Sequence, residues 1–341
     1  MCIRDSDNDG FLEVVAGSLD GYLYIVRWDG SVLYKIHVGD GAVVAPSAGD
    51  LDRDGSLEIV VTEHYYVHVI DFEDNNYTVY TLDLGEELLG APVIVDVNHD
   101  GYMDIVVASS ESHVYAIDYY EQEIIWFTRI PVEELEASPS IGDIDSDDKL
   151  EVIAPSLQGL YTLSLDNGEI KYVYQDIIVS TSSPIIADID GDGANEILIG
   201  MQTGEFAILD ITHGREEFAE VEWILATKGP IMGSPAIGDL DNDGLPEIVF
   251  GSRDYNLYCI DGIPEYETQT KVNTTPATIL PTTTNLPSST SPTTSSSASS
   301  KQTASTLTSS ARSTYKNKTV LFTTGIGYYY PNPNTTLILV G

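Results

Sequence analysis

Cysteine is nearly missing from this chain: two among 341 residues, Cys2 and Cys259. Cys2 lies in an opening stretch set aside below, so the folded part has no internal disulfide framework. Cys259 sits in an apolar run and reads as a small buried hydrophobe. Basic residues are scarce too, 15 Lys and Arg against 54 Asp and Glu, for a formal net charge of −39. That balance argues against nucleic acid and other polyanions as partners. It also leaves few bases to neutralise the uronates on which a polysaccharide lyase acts. No apolar run reaches the ~18 residues that a membrane span requires. No nucleophile elbow, P-loop or dinucleotide fingerprint occurs. The histidines are His37, His64, His68, His99, His113 and His213. Only His64 and His68 share a spacing of note, which in a strand places them on one face.

What the chain has in abundance is one acidic pattern. It appears as "DSDNDGFLE" from Asp5, "DLDRDGSLE" from Asp50, "DVNHDGYMD" from Asp96, "DIDSDDKLE" from Asp143, "DIDGDGANE" from Asp188 and "DLDNDGLPE" from Asp239. Successive starts lie 45, 46, 47, 45 and 51 residues apart. A period of roughly 40–50 residues signals a propeller or solenoid built from one supersecondary unit per repeat.

Each unit reads as four strands. A short segment such as "APVIVD" or "SPAIGD" precedes the acidic loop. A run such as "EIVVT" or "EILIG" follows it, apolar at every position, so both of its faces should be buried. A third segment ("HVYAID", "GEFAILD", "NLYCID") leads to a hairpin turn such as Asp29-Gly30 or Asn167-Gly168. A fourth segment ("EIIWFTRI", "EIKYVYQ", "VEWILAT") closes most units. Residues 7–263 show no sustained helical period. The expected fold is all-β: a β-propeller of four-stranded blades, six visible and seven or more in the full protein.

The loop spacing D-x-D-x-D-G-x-x-E places side-chain oxygens at positions 1, 3, 5 and 9. Hard oxygen donors in that number suit calcium, which takes 6–8 oxygens at about 2.3–2.6 Å. An EF-hand shares the first six positions but closes at position 12 between helices. The candidate ligands are Asp7, Asp9 and Glu13 in the first loop; Asp50, Asp52, Asp54 and Glu58 in the second; and Asp96, Asn98, Asp100 and Asp104 in the third. The later loops offer Asp143, Asp145, Asp147 and Glu151; Asp188, Asp190, Asp192 and Glu196; and Asp239, Asp241, Asp243 and Glu247. The position-7 carbonyl is the expected backbone ligand, from Ser56, Tyr102, Lys149, Ala194 or Leu245. Apolar residues at position 8 (Leu57, Met103, Leu150, Pro246) are expected to tuck the loop against the blade. Asp148 replaces glycine in the fourth loop, which is expected to weaken that site. One calcium per acidic loop is the expected cofactor content.

"GAP" at Gly90-Ala91-Pro92, with "VIVDVNHDG" after it, and "GSPAIGDLDNDG" at 233–244 resemble FG-GAP repeats, the calcium-bearing blades of integrin α-subunit propellers. The resemblance covers residues 7–262. It implies a seven- or eight-bladed propeller with structural calcium held by Asp50, Asp52, Asp54, Glu58 and their counterparts. The third segments also resemble quinoprotein-type propeller repeats, but only Trp126 and Trp223 occupy the fourth strand, where that family repeats a docking tryptophan.

The ends differ from the middle. "MCIRDS" resembles a translated sequencing adaptor, so residues 1–6 are set aside, the first blade is expected to lack its innermost strand, and a signal peptide is expected upstream. No Asp or Glu follows Glu267. Residues 264–318 are rich in Ser, Thr and Pro and read as a disordered linker or an O-glycosylated stalk. Sequons occur at Asn76, Asn273, Asn317 and Asn334. Residues 319–341 are unassigned; the closing "TTLILV" can open a truncated membrane anchor. The expected function is adhesion or ligand binding by a monomeric extracellular propeller at the cell surface, with a protein or carbohydrate ligand and no catalysis. A polysaccharide lyase, a quinoprotein-type dehydrogenase and a periplasmic assembly scaffold are the alternatives.

Overall fold

The computed structural model describes residues 11–260, save 74–75, 134, 136, 176, 180, 212–219, 241–243 and 245, together with strands at 2–4, 313–315, 318–320 and 336–340. The chain divides into two units, Met1–Ile263 with Tyr329–Gly341, and Pro264–Tyr328. In the second, Ser313–Tyr315 and Lys318–Val320 pair as an antiparallel ribbon. The rest of the Ser/Thr/Pro-rich segment lies outside the described residues. All the described elements are strands, so no helix among them is long and apolar enough to cross a membrane.

The first unit holds six four-stranded sheets, each with its strands in chain order. Sheet 1 is Cys2–Arg4, Glu13–Gly17, Tyr22–Val26 and Val32–His37; sheet 2 is Ser47–Gly49, Glu58–Glu63, Tyr66–Glu73 and Asn76–Asp83. Sheet 3 is Val93–Val95, Asp104–Ala108, His113–Asp118 and Glu123–Arg129; sheet 4 is Ser140–Gly142, Glu151–Ser156, Gly159–Ser164 and Ile170–Tyr174. Sheet 5 is Ile185–Ala187, Glu196–Gly200, Glu205–Asp210 and Glu220–Ala226; sheet 6 is Ala236–Gly238, Glu247–Gly251, Asn256–Ile260 and Thr336–Val340. Three strands differ from the sequence reading. Cys2–Arg4, set aside there, pairs with Glu13–Val15 as the first strand of sheet 1. Asn76–Asp83 supplies a fourth strand to sheet 2 that its polar alternation concealed. Thr336–Val340, read as the start of an anchor, runs parallel to Asn256–Ile260.

The first strands of sheets 2 to 6 follow Pro46, Pro92, Pro139, Pro184 and Pro235. Proline has no N–H to donate, so ladder pairing starts at the next residue. These short strands meet those of the next sheet: the Ser47 hydroxyl donates to the Pro92 carbonyl at 2.5 Å, and Ser140 to Pro184 at 2.6 Å. Gly90 is required by that approach, since a Cβ there would lie 2.9 Å from Ser138 Cα.

The second strands explain why their runs are apolar at every position. Ile59 and Val61 pack toward sheet 1, with Val15, Leu23 and Ile25, whereas Val60 packs toward sheet 3 with Ile105 and Val107. Val106 and Ala108 face sheet 4, Ile153 faces Ile197 and Ile199 of sheet 5, and Leu198 faces Ile248 and Phe250 of sheet 6. Strand alternation therefore feeds two cores at once. Each fully buried aliphatic side chain contributes roughly 1.5–3 kcal/mol. In sheets 1, 3, 4 and 5 the register between the third and fourth strands slips by one residue, leaving Leu33, Ile125, Lys171 and Glu222 as the extra residues of a bulge.

Candidate metal centre

Each acidic loop joins the first and second strands of its sheet. Its carboxylates first fold the loop on itself. The position-1 acid accepts the position-6 N–H: Asp50 from Gly55 at 3.2 Å, Asp96 from Gly101 at 3.0 Å, Asp143 from Asp148 at 3.0 Å, Asp188 from Gly193 at 3.1 Å and Asp239 from Gly244 at 3.1 Å. Position 3 accepts from position 5, as Asp52 does from Asp54 (3.0 Å) and Asp190 from Asp192 (3.0 Å). Position 5 accepts from position 7, as Asp54 does from Ser56 (2.7 Å), Asp100 from Tyr102 (2.8 Å), Asp147 from Lys149 (2.9 Å) and Asp192 from Ala194 (2.8 Å). The position-9 acid is buried and accepts the position-2 N–H: Glu58 from Leu51 at 2.6 Å, Asp104 from Val97 at 2.8 Å, Glu151 from Ile144 at 3.2 Å, Glu196 from Ile189 at 2.9 Å and Glu247 from Leu240 at 2.5 Å. Most of these acids thus spend one oxygen on the backbone; Asp143 and Asp188 spend both, and Asp145 spends neither.

In three of the loops the acids converge. Ligand atoms of Asp50, Asp52 and Glu58 all lie within 4.8 Å of one another, as do those of Asp143, Asp145 and Glu151, and of Asp188, Asp190 and Glu196. The position-5 aspartates stand outside these groups. In the second and third loops, Asp50 Oδ1, Glu58 Oε1, Asp96 Oδ1 and Asp104 Oδ1 are buried with no hydrogen-bond partner. Burial pushes the Glu58 carboxyl up to about 8, helped by the charges of Asp52, Asp71 and Asp54. Burial likewise pushes Asp104 up to about 6, with Asp118 and Asp100 adding to it. Such sites are short of positive charge, which a divalent cation would supply. In the third loop Asn98 turns its amide nitrogen to Asp100 and Asp118, each at 3.1 Å, while its oxygen takes the Asp100 N–H.

Asp7, Asp9, Asp241, Asp243 and Leu245 lie outside the described residues, while Glu13 is buried at the start of its strand. In the second to fifth loops the anchor is position 2: Leu51, Val97, Ile144 and Ile189 are buried in the core toward the next sheet, while Leu240 of the sixth is exposed. At position 8, Met103 and Leu150 are exposed and Leu57 and Pro246 are half-buried. Alternation requires this: with the position-9 acid turned inward, its neighbour at position 8 turns out. Asp148 adopts the left-handed conformation that glycine takes in the other loops, with φ of 64°, so the turn survives the substitution.

The sequence reading missed a further acid. Continuing the register, in sheets 2, 3 and 5 the position-9 acid faces an aspartate of the third strand: Asp71 opposite Glu58, Asp118 opposite Asp104 and Asp210 opposite Glu196. Its signal was the recurrent "-ID" or "-LD" that ends "VYAID" and "FAILD". In sheet 4 the partner of Glu151 is instead Ser164.

No curated protein matches the sequence. The crystal structure of the V. cholerae biofilm matrix protein Bap1 is similar at 21% identity with a TM-score of 0.52, over 70% of this chain and 40% of that one. The chain thus spans well under two thirds of the length of Bap1. Crystal structures of BBS1N in complex with ARL6DN, soaked with mercury and with lead, are similar at 12% identity with TM-scores of 0.53 and 0.55. They cover 74% and 76% of this chain, and the same shares of their own. At these identities the likeness is one of fold. A family model described as an FG-GAP-like repeat matches residues 5–61 and 188–250, stretches that contain the first, second, fifth and sixth acidic loops. In these two stretches the chain carries FG-GAP-like repeats, set on a scaffold of successive four-stranded sheets.

Proposed function

We propose that this chain is a calcium-stabilised β-propeller module that works outside the cell, binding a protein or carbohydrate ligand in adhesion and catalysing no reaction. One observation carries the metal reading: in the second loop, buried oxygens of Asp50 and Glu58 converge with Asp52 and lack a hydrogen-bond donor. Asp50, Asp52 and Glu58, with Asp188, Asp190 and Glu196, would hold calcium, which supplies charge and pins two strands together. The FG-GAP-like repeats and the fold shared with a biofilm matrix protein support an extracellular, adhesion-like role. Five successive sheet-to-sheet cores support the propeller. The net charge of −39 disfavours nucleic acid as the ligand.

The test is thermal melting with and without chelator, with calcium counted by elemental analysis. Metal that binds only the folded state stabilises it by about 2.7 kcal/mol per site at a hundredfold excess over Kd. Chelation should lower Tm strongly, and magnesium should restore it poorly. Identical melting curves with less than one calcium per chain would remove the metal reading. Turnover of uronate polymers, or of alcohols in the presence of a quinone and an electron acceptor, would overturn the non-catalytic one.

A further inference from the structure

The fourth acidic loop brings together acids at the same three positions as the second, yet its charge is met differently. Lys171 is the extra residue of the sheet-4 bulge, where sheets 1, 3 and 5 carry Leu33, Ile125 and Glu222. A bulge re-aims its side chain out of the strand's ordinary alternation. Here it sends the ammonium into the loop: Lys171 Nζ lies 2.7 Å from Glu151 Oε1, 2.9 Å from Asp145 Oδ2 and 3.5 Å from Asp147 Oδ2. The Tyr172 hydroxyl adds a donor to Asp145 Oδ2 at 3.1 Å. Glu58 Oε1, the equivalent of Glu151 Oε1 in the second loop, has no hydrogen-bond partner. We infer that the fourth loop takes the Lys171 ammonium as its resident cation in place of a metal ion.

A second feature agrees. Ser164 stands opposite Glu151, so this site lacks the fifth carboxylate that Asp71, Asp118 and Asp210 bring to sheets 2, 3 and 5. One acid fewer and one ammonium more shift the local formal charge by two toward neutrality. A lysine is held covalently at the site, so this repeat keeps its loop closed when calcium is withdrawn.

This inference rests on the reading of the other loops as calcium sites, and its test separates the two. Calcium is counted per chain in the wild type and in Lys171→Met, and both are melted in chelator. One additional calcium in Lys171→Met, with a lower Tm in chelator, is expected. Lys171→Arg should keep the wild-type count. An equal count in Lys171→Met and a calcium-bearing wild type would overturn the lysine assignment. A wild type with no calcium would instead overturn the calcium reading. The lysine assignment then stands or falls on melting alone: Lys171→Met must melt lower than the wild type, and an equal Tm refutes it.

Discussion

Replacing Glu58 by glutamine should move stability in opposite directions with and without calcium. Glu58 is fully buried, and one of its oxygens accepts the Leu51 N–H at 2.6 Å. Glutamine keeps that acceptor through its carbonyl. Its amide nitrogen then faces Asp50 and Asp52, whose ligand atoms lie within 4.8 Å of those of Glu58. In the metal-free protein this relieves a buried oxygen without a donor, a defect that costs about 1–3 kcal/mol. With calcium at a thousandfold excess over Kd, the variant loses a site that contributes about 4.1 kcal/mol. The relief still applies, so the net loss is about 1–3 kcal/mol. At about 2–4 °C per kcal/mol for a chain of this size, Tm should rise by about 2–12 °C in chelator and fall by a similar amount in calcium. Differential scanning calorimetry in the two buffers reads both signs in one preparation. A fall of equal size in both buffers would mean that Glu58 serves only the loop's own hydrogen bonds, and would refute the argument.

Gly90→Ala should destabilise by about 1–3 kcal/mol through overpacking, because its Cβ would meet the Ser138 backbone at 2.9 Å; urea unfolding measures it. Ile199→Ala empties part of the core between sheets 4 and 5 and should cost about 2–5 kcal/mol in the same assay, whether or not calcium is present. Asp50→Asn should reduce the calcium count by one without lowering the chelated Tm, since asparagine still accepts the Gly55 N–H that Asp50 takes with one oxygen.

The acidic loops were legible because their chemistry is local: nine consecutive residues hold the capping pattern, the turn and the converging oxygens. The buried strands were legible because apolar residues on both parities admit only a sheet covered on both faces. Legibility ended where pairing register decides the outcome. That Asp71 faces Glu58, while Ser164 faces Glu151, depends on hairpin register, and a slip of one residue would turn each side chain to the opposite face. Lys171 enters its loop only because a bulge falls at that rung, and no local pattern in "EIKYVYQ" marks the bulge. Asn76–Asp83 was hidden by its polar alternation, as suits an outer strand with exposed residues such as Asn76 and Val79.

The in-order arrangement of strands also governs how the chain reaches its native state. Each of the first five sheets completes itself from neighbouring sequence, so loop closures are short and the entropy lost before the first contacts form is small. At about 5–20 residues per second, a ribosome delivers one repeat of about 46 residues every ~2–9 s, long compared with the microseconds a hairpin needs. Sheets can therefore dock one by one as the chain emerges, each using its predecessor as a template. Sheet 6 breaks this order. Its fourth strand, Thr336–Val340, lies more than 70 residues beyond Ile260. Until that segment is made, the Asn256–Ile260 strand offers an open edge, and completion of sheet 6 waits on the synthesis of Thr336–Val340.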